Sequence, residues 1–194
     1  EVEIVLSRAS EVLVFTGTKL DVRANANGLD AGFELPVDGA GRIAADMRLS
    51  GFRLSTIDTQ PLTGRISVDL SGLDRLARLA PDVSGAKGTI QGAIDLGGRL
   101  TQPAIGGNLA ARDIALSVPS IGLNISELNL VAESESAESM RLTGGALIGG
   151  GQLNVDGQAT GIGGAEPTLS VTLRGRDLKV ADSKEYMALV SLDL

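Results

Sequence analysis

Residues 88–97 read Gly88-Thr-Ile-Gln-Gly92-Ala-Ile-Asp-Leu-Gly97. Ile90, Gly92, Ile94 and Leu96 fall on every second position, with Gln91, Ala93 and Asp95 between them. Successive side chains of a strand point to opposite sides, so this stretch predicts a strand with one apolar and one wetted face. The same rhythm runs outward in both directions. Upstream, Leu20, Val22 and Ala24 alternate with Asp21, Arg23 and Asn25. Ile43, Ala45, Met47 and Leu49 alternate with Ala44, Asp46 and Arg48, and Ile66, Val68 and Leu70 with Ser67 and Asp69. Downstream, Leu128 and Leu130 flank Asn129. Leu153, Val155 and Gly157 alternate with Asn154 and Asp156, and Leu169, Val171 and Leu173 with Ser170 and Thr172.

The punctuation agrees. Asn27-Gly28, Asp38-Gly39, Gly97-Gly98, Gly144-Gly145 and Gly161 to Gly164 carry turn signals between the runs. Strands with turns roughly every 8–12 residues predict an all-β fold. One-sided wetting favours mostly antiparallel pairing. One segment departs from period two: Leu73, Leu76, Ala77 and Ala80 sit at helical spacing ahead of Pro81. That predicts one short amphipathic helix at about 73–80, docked on an end or edge of the sheet because so short a helix cannot stand alone. The acidic run Glu133 to Ser139 reads as a long hairpin tip.

Composition removes whole classes of function. The 194 residues contain no His, Cys or Trp, which excludes a Ser-His-Asp triad, a Cys-His nucleophile, a Cys/His zinc site and any disulfide. A formal charge of −7 and four aromatics argue against nucleic acid as a partner. No metal site, catalytic residue or cofactor is expected, and the chain reads as a non-enzyme. Asn124-Ile-Ser126 matches a glycosylation sequon of the kind that recurs by chance, and Gly161-Ile-Gly163-Gly lacks the helix that a phosphate loop needs. Glu133 and Glu135 lie on a polar stretch with no aromatic sugar platform beside them, which leaves a carboxylate-dependent glycan enzyme as a remote alternative. There is no apolar run near the length of a membrane span and no basic region followed by an apolar stretch. The chain begins and ends in strand rhythm, so residues 1–194 are expected to be a single elongated β-sheet domain cut from a larger chain.

About fourteen amphipathic strands, at about 4.8 Å each, would extend roughly 65 Å as one sheet. Their apolar sides are aliphatic, and the only helix is too short to cover them. One solution is a sheet curled into a trough, with Gly92, Gly107, Gly149 and Gly157 permitting the bend. The residues expected to line such a groove are Ile66, Val68, Leu70, Ile90, Ile94, Leu96, Leu109, Leu116, Val118, Leu128, Leu130, Leu153, Val155, Leu169, Val171 and Leu173. The alternative is that the same residues form the closed core of a sandwich, or of a structural β-solenoid such as an adhesin or passenger module.

The layout of residues 88–123 goes further than periodicity. Leu100-Thr-Gln-Pro103, Gly106-Gly107 and Pro119-Ser-Ile-Gly122-Leu123 follow one another, after Leu79-Ala-Pro-Asp-Val-Ser-Gly85. Downstream come Gly149-Gly-Gly-Gln-Leu-Asn-Val-Asp-Gly157 and the terminal Val190-Ser-Leu-Asp-Leu194. Over residues 60–194 this resembles the C-terminal region of the TamB family, within the wider AsmA-like group. In the last element Leu192 stands where the family pattern has Pro.

The resemblance implies an inner-membrane-anchored chain of the Gram-negative periplasm whose sheet folds into a β-taco with an apolar lumen. It implies an Omp85-type outer-membrane barrel, TamA, as partner. It further implies a role in outer-membrane biogenesis, through autotransporter and outer-membrane protein assembly or phospholipid transport. Phospholipid acyl chains or nascent outer-membrane strands are the expected cargo, and the sixteen groove residues are expected to touch them. No catalytic residue is carried over.

Overall fold

The computed structural model describes residues 2–8, 11–25, 27–37, 39–51, 53, 55, 59–77, 80, 82–164, 166–182 and 187–193. The alternating runs form twelve strands. The first six are β1 (Val2–Arg8), β2 (Glu11–Asn25), β3 (Gly28–Val37), β4 (Gly41–Ser50), β5 (Leu62–Leu70) and β6 (Ser84–Arg99). The remainder are β7 (Gln102–Val118), β8 (Leu123–Ser136), β9 (Ser139–Ile148), β10 (Gly151–Thr160), β11 (Thr168–Asp182) and β12 (Met187–Asp193). They make one sheet in which spatial order equals chain order, and every neighbouring pair is antiparallel. Among the described residues there are twelve strands where about fourteen were expected, and they extend the sheet roughly 55 Å at about 4.8 Å per strand. Among the described residues, the turns after β3, β5, β7 and β9 line one rim, and those after the even-numbered strands line the other.

Register carries the apolar residues to a common face, because directly paired residues of neighbouring strands project the same way. Val22 pairs with Ala31, Ala31 with Met47, and Met47 with Gly64. Ile66 pairs with Ile94, and Leu96 with Ile105. Strict alternation would fail in the longer strands, where apolar residues change parity. Leu109 and Ala111 are odd-numbered, while Ile114, Leu116 and Val118 are even. A bulge resolves this: Ala111 pairs with Leu130 and Ile114 with Leu128, so β7 uses three residues where β8 uses two. The reverse slip in β8 lets Leu128 and Ile125 face the same side, opposite Ile114 and Leu116. A third slip in β11 returns Leu178 to the side of Gly175.

At each bulge one acidic residue adopts the left-handed conformation: Asp113 at φ 51°, Glu127 at 52° and Asp177 at 53°. Asn129 ties the first two together. Its Oδ1 accepts from Asp113 N at 3.0 Å and its Nδ2 donates to the Glu127 carbonyl at 2.9 Å. Ser191 Oγ accepts from Asp177 N at 3.3 Å in the third. Bulged strands bend, and glycine adds to this at Gly107. Its φ is +99°, and a Cβ there would lie 2.2 Å from the Ala93 carbonyl oxygen. No other residue type fits that combination.

The helix α1 spans Leu73–Ala77, shorter than the predicted 73–80; residues 78 and 79 lie outside the described residues. It folds back over the apolar face at one rim. There Leu73 packs in a core with Val37, Ala40, Leu70 and Ile114, and Leu76, Ile90 and Leu128 pack against the same group. Several turn expectations are corrected. Gly144-Gly145 sits in the middle of β9, and Gly97-Gly98 lies inside β6, whose turn is Leu100-Thr101. A two-residue tip, Ala137-Glu138, replaces the long acidic one, so Glu133 and Glu135 belong to β8. Gly149 is in the β9–β10 turn at φ 56° rather than within a strand.

Candidate functional site

The two faces of the sheet differ in kind. The outer face carries charge in cross-strand ladders. Arg48 Nε lies 3.1 Å from Asp30, and Arg65 Nη1 2.8 Å from Asp95. Lys19 pairs with Glu34 at 3.5 Å. Farther along, Arg141 Nε donates to Glu135 Oε1, Gln158 Nε2 donates to Glu135 Oε2 at 2.8 Å, and Asp156 stands 3.6 Å from Arg141. The hydrogen bond from Arg141, joined by the one from Gln158, holds the Glu135 carboxyl below its ordinary value, and the same contact raises Arg141. These groups are solvent-facing and contribute little each to stability; their effect is to keep this side wet.

The inner face is the reverse. Following the register from Leu20 to Leu173, the described inner positions carry no charged side chain. Ser134 is the polar exception, and its Oγ is engaged by Gly107 N at 3.2 Å. All sixteen residues expected to line a groove fall on this one face. Ile66, Val68 and Leu70 come from β5, Ile90, Ile94 and Leu96 from β6, and Leu109, Leu116 and Val118 from β7. Leu128 and Leu130 come from β8, Leu153 and Val155 from β10, and Leu169, Val171 and Leu173 from β11.

Their burial is the informative part. Leu70 is buried beneath α1, Leu169 and Val171 are 75% and 41% exposed, and the other thirteen are half-buried. Residues of a packed core are nearly all shielded, whereas these touch one another and remain open on one side. The whole chain agrees. Its accessible surface is 11745 Å², against about 8,600 Å² for a compact monomer of 19.8 kDa.

The sequence reading left out part of this face. Leu20, Val22, Ala31, Phe33, Ile43 and Met47 extend it over β2–β4, and Leu20, Val22 and Met47 are 61%, 58% and 44% exposed. Their alternation was a sufficient signal. Ile114 alternates with Leu116 and Val118 and carried the same signal, whereas Ile125 was missed because the bulge moves it off period two with Leu128. At the rim opposite α1, the loop after β10 folds inward: Ile162 N donates to the Glu138 carbonyl at 3.0 Å, and Gly163 rests on the Pro103 ring. Among the described residues no group of His, Cys, Asp and Glu could hold a metal ion, and no helix is long and apolar enough to cross a membrane.

A family model described as TamB, N-terminal domain, matches residues 2–111, more than half of the chain. The chain belongs to the TamB family. Membership carries a general role as a component of the translocation and assembly module in outer-membrane biogenesis. TamB-family proteins are Gram-negative envelope proteins that span the periplasm and work with an Omp85-type partner, TamA. The matched model is that of the family's N-terminal domain, so the match supports the family and does not confirm the C-terminal region expected over residues 60–194. No curated protein and no solved structure matches the chain.

Proposed function

We propose that this TamB-family chain is a passive, non-enzymatic conduit whose inner face takes the place of bilayer interior for phospholipid acyl chains between the inner and outer membranes. One observation carries the reading: an apolar, uncharged face, most of it half-buried or exposed, that continues across ten strands, from β2 to β11. Each methylene removed from water contributes about 0.8 kcal/mol at full burial, so an acyl chain needs no polar anchor to bind. The charged outer side keeps the loaded chain soluble, and the absence of charge inside leaves nothing to arrest a sliding tail. In this reading the residues form part of a longer, inner-membrane-anchored trough that delivers its cargo beside a TamA-type barrel. A closed adhesin or solenoid core is disfavoured by the same half-burial.

The test is photocrosslinking with an acyl-chain-labelled phosphatidylethanolamine. A benzophenone amino acid placed at Leu130 or Val155 should capture the lipid, and one placed at the outer positions Asp156 or Arg112 should not. Equal capture on both faces, or none on either, overturns the proposal. Capture of outer-membrane protein segments in place of lipid at Leu130 and Val155 would reassign the cargo.

A further inference from the structure

The element that does not fit an open face is α1. Among the described residues it joins the buried cluster of the inner face from outside the strands, together with Ala40 of the β3–β4 turn. It packs chiefly on β6, and the cluster that its Leu73 joins gathers residues of β3 to β8: Leu35 and Val37, Ile43, Val68 and Leu70, Ala86 and Ile90, Ala111 and Ile114, and Leu128. Its approach is fixed. Ser71 N and Gly72 N donate to the Ala40 carbonyl at 2.7 and 3.2 Å, and Arg75 N donates to the Gly72 carbonyl at 3.1 Å. A Cβ on Gly72 would stand 2.2 Å from the Gly39 carbonyl oxygen, so the hinge lies flat against the β3–β4 turn.

Beyond that hinge the helix is held by its apolar contacts and by Arg75, whose guanidinium lies against Gly39 of the β3–β4 turn. Five residues make barely more than one turn, which has no stability of its own. Leu73 is 9% exposed, and Leu76 packs beside it, while Asp74 between them faces water. Two leucines therefore occupy the inner face where an acyl chain would otherwise lie. Both neighbouring stretches are open: Leu20 and Val22 of β2 on one side, Leu169 and Val171 of β11 on the other, all more than 40% exposed.

We infer that α1 is an intramolecular latch that competes with acyl chains for the middle of the inner face and must swing away on the Ser71-Gly72 hinge when a chain passes. This rests on the proposed acyl-binding function and adds its regulation. A binder whose competent state is a minor population has its apparent affinity lowered by that fraction. Weakening the latch therefore tightens lipid binding, where the loss of an ordinary contact residue would weaken it.

The chain has no cysteine of its own, so spin labels can be placed without background. Labels at the exposed positions Asp74→Cys and Arg112→Cys report the separation of α1 from the outer side of β7, with and without lysophosphatidylethanolamine. The expected result is a longer, broader distance distribution with lipid. The Leu73→Ser/Leu76→Ser chain should bind the same lipid about tenfold more tightly. Leu76→Ser alone, with strand content checked by circular dichroism, serves if the double variant does not fold. Lipid binding with an unchanged distance, and equal or weaker affinity in the variants, overturns the latch and leaves the conduit standing. No lipid binding by any of these chains overturns both.

Discussion

Val155→Asp separates an open apolar face from a closed core. Val155 lies in the middle of β10, paired with Gly144 of β9 and Leu173 of β11, and it is half-buried. Truncating its contacts forfeits about half the value of a fully buried valine, about 1 kcal/mol. The poor strand preference of aspartate costs up to about 1 kcal/mol more. The carboxylate keeps its water on the open side, so no burial penalty is added, and the expected destabilisation is about 2 kcal/mol. In a dry core the same substitution would bury an unpaired charge and cost more than about 4 kcal/mol. Urea unfolding monitored by circular dichroism measures the difference directly. The neighbouring outer-face change Asn154→Asp, in an exposed position, is the control for added charge and should stay within about 0.5 kcal/mol. Binding of a fluorescent phospholipid should fall at least tenfold in Val155→Asp and be unaltered in Asn154→Asp. A loss of more than about 4 kcal/mol, or undiminished lipid binding by a folded Val155→Asp chain, refutes the reasoning.

Asn129→Ala removes both hydrogen bonds that link the β7 and β8 bulges; the expected cost is about 1–2 kcal/mol, read as a fall in Tm of about 3–6 °C. Gly107→Ala forces a Cβ against the Ala93 carbonyl at a positive φ and should cost more than about 2 kcal/mol; Gly157→Ala, where the nearest atom stands at 3.3 Å and φ is ordinary, should cost under about 1 kcal/mol. Glu127→Gly relieves a left-handed non-glycine residue and should raise stability by up to about 1 kcal/mol, measured by urea unfolding. Carboxyl NMR titration should find Glu135 below the ordinary glutamate range. Because its folded value is lowered, its contribution is present above that range and is lost as pH falls through the lowered value. Arg141→Ala should return Glu135 toward the ordinary value.

Period two was enough to find the all-β class, and a break to helical spacing the short helix, because each of those depends on near neighbours in the chain. Parity changes were harder. Leu109 and Leu116 cannot share a face on an unbroken strand; that conflict is visible in the numbering, but the sequence reading placed both on one face without a slipped residue between them, and the structure supplies it. Neither Asp113 nor Glu127 announces a bulge, since the left-handed conformation there is imposed by pairing and by Asn129 rather than by residue type. Gly144-Gly145 carried the chemistry of a turn, yet these residues pair with Val155 and Asn154 in mid-strand. A glycine pair serves either role, and only the partners decide. The position of α1 over the inner face was unreadable because Leu73 and Leu76 show that the helix has an apolar side but not what it lies upon.

Serial pairing has a consequence for length. Every strand bonds only to its predecessor and successor along the chain, so no distant segment must be found before the next can join. Such an architecture can be lengthened or shortened by whole hairpins, roughly 10 Å at a time, with inside and outside preserved and both rims unbroken. A span cut to the width of its compartment needs no redesign, only more or fewer rungs. The same order lets each rung settle against the one before it as soon as it is available.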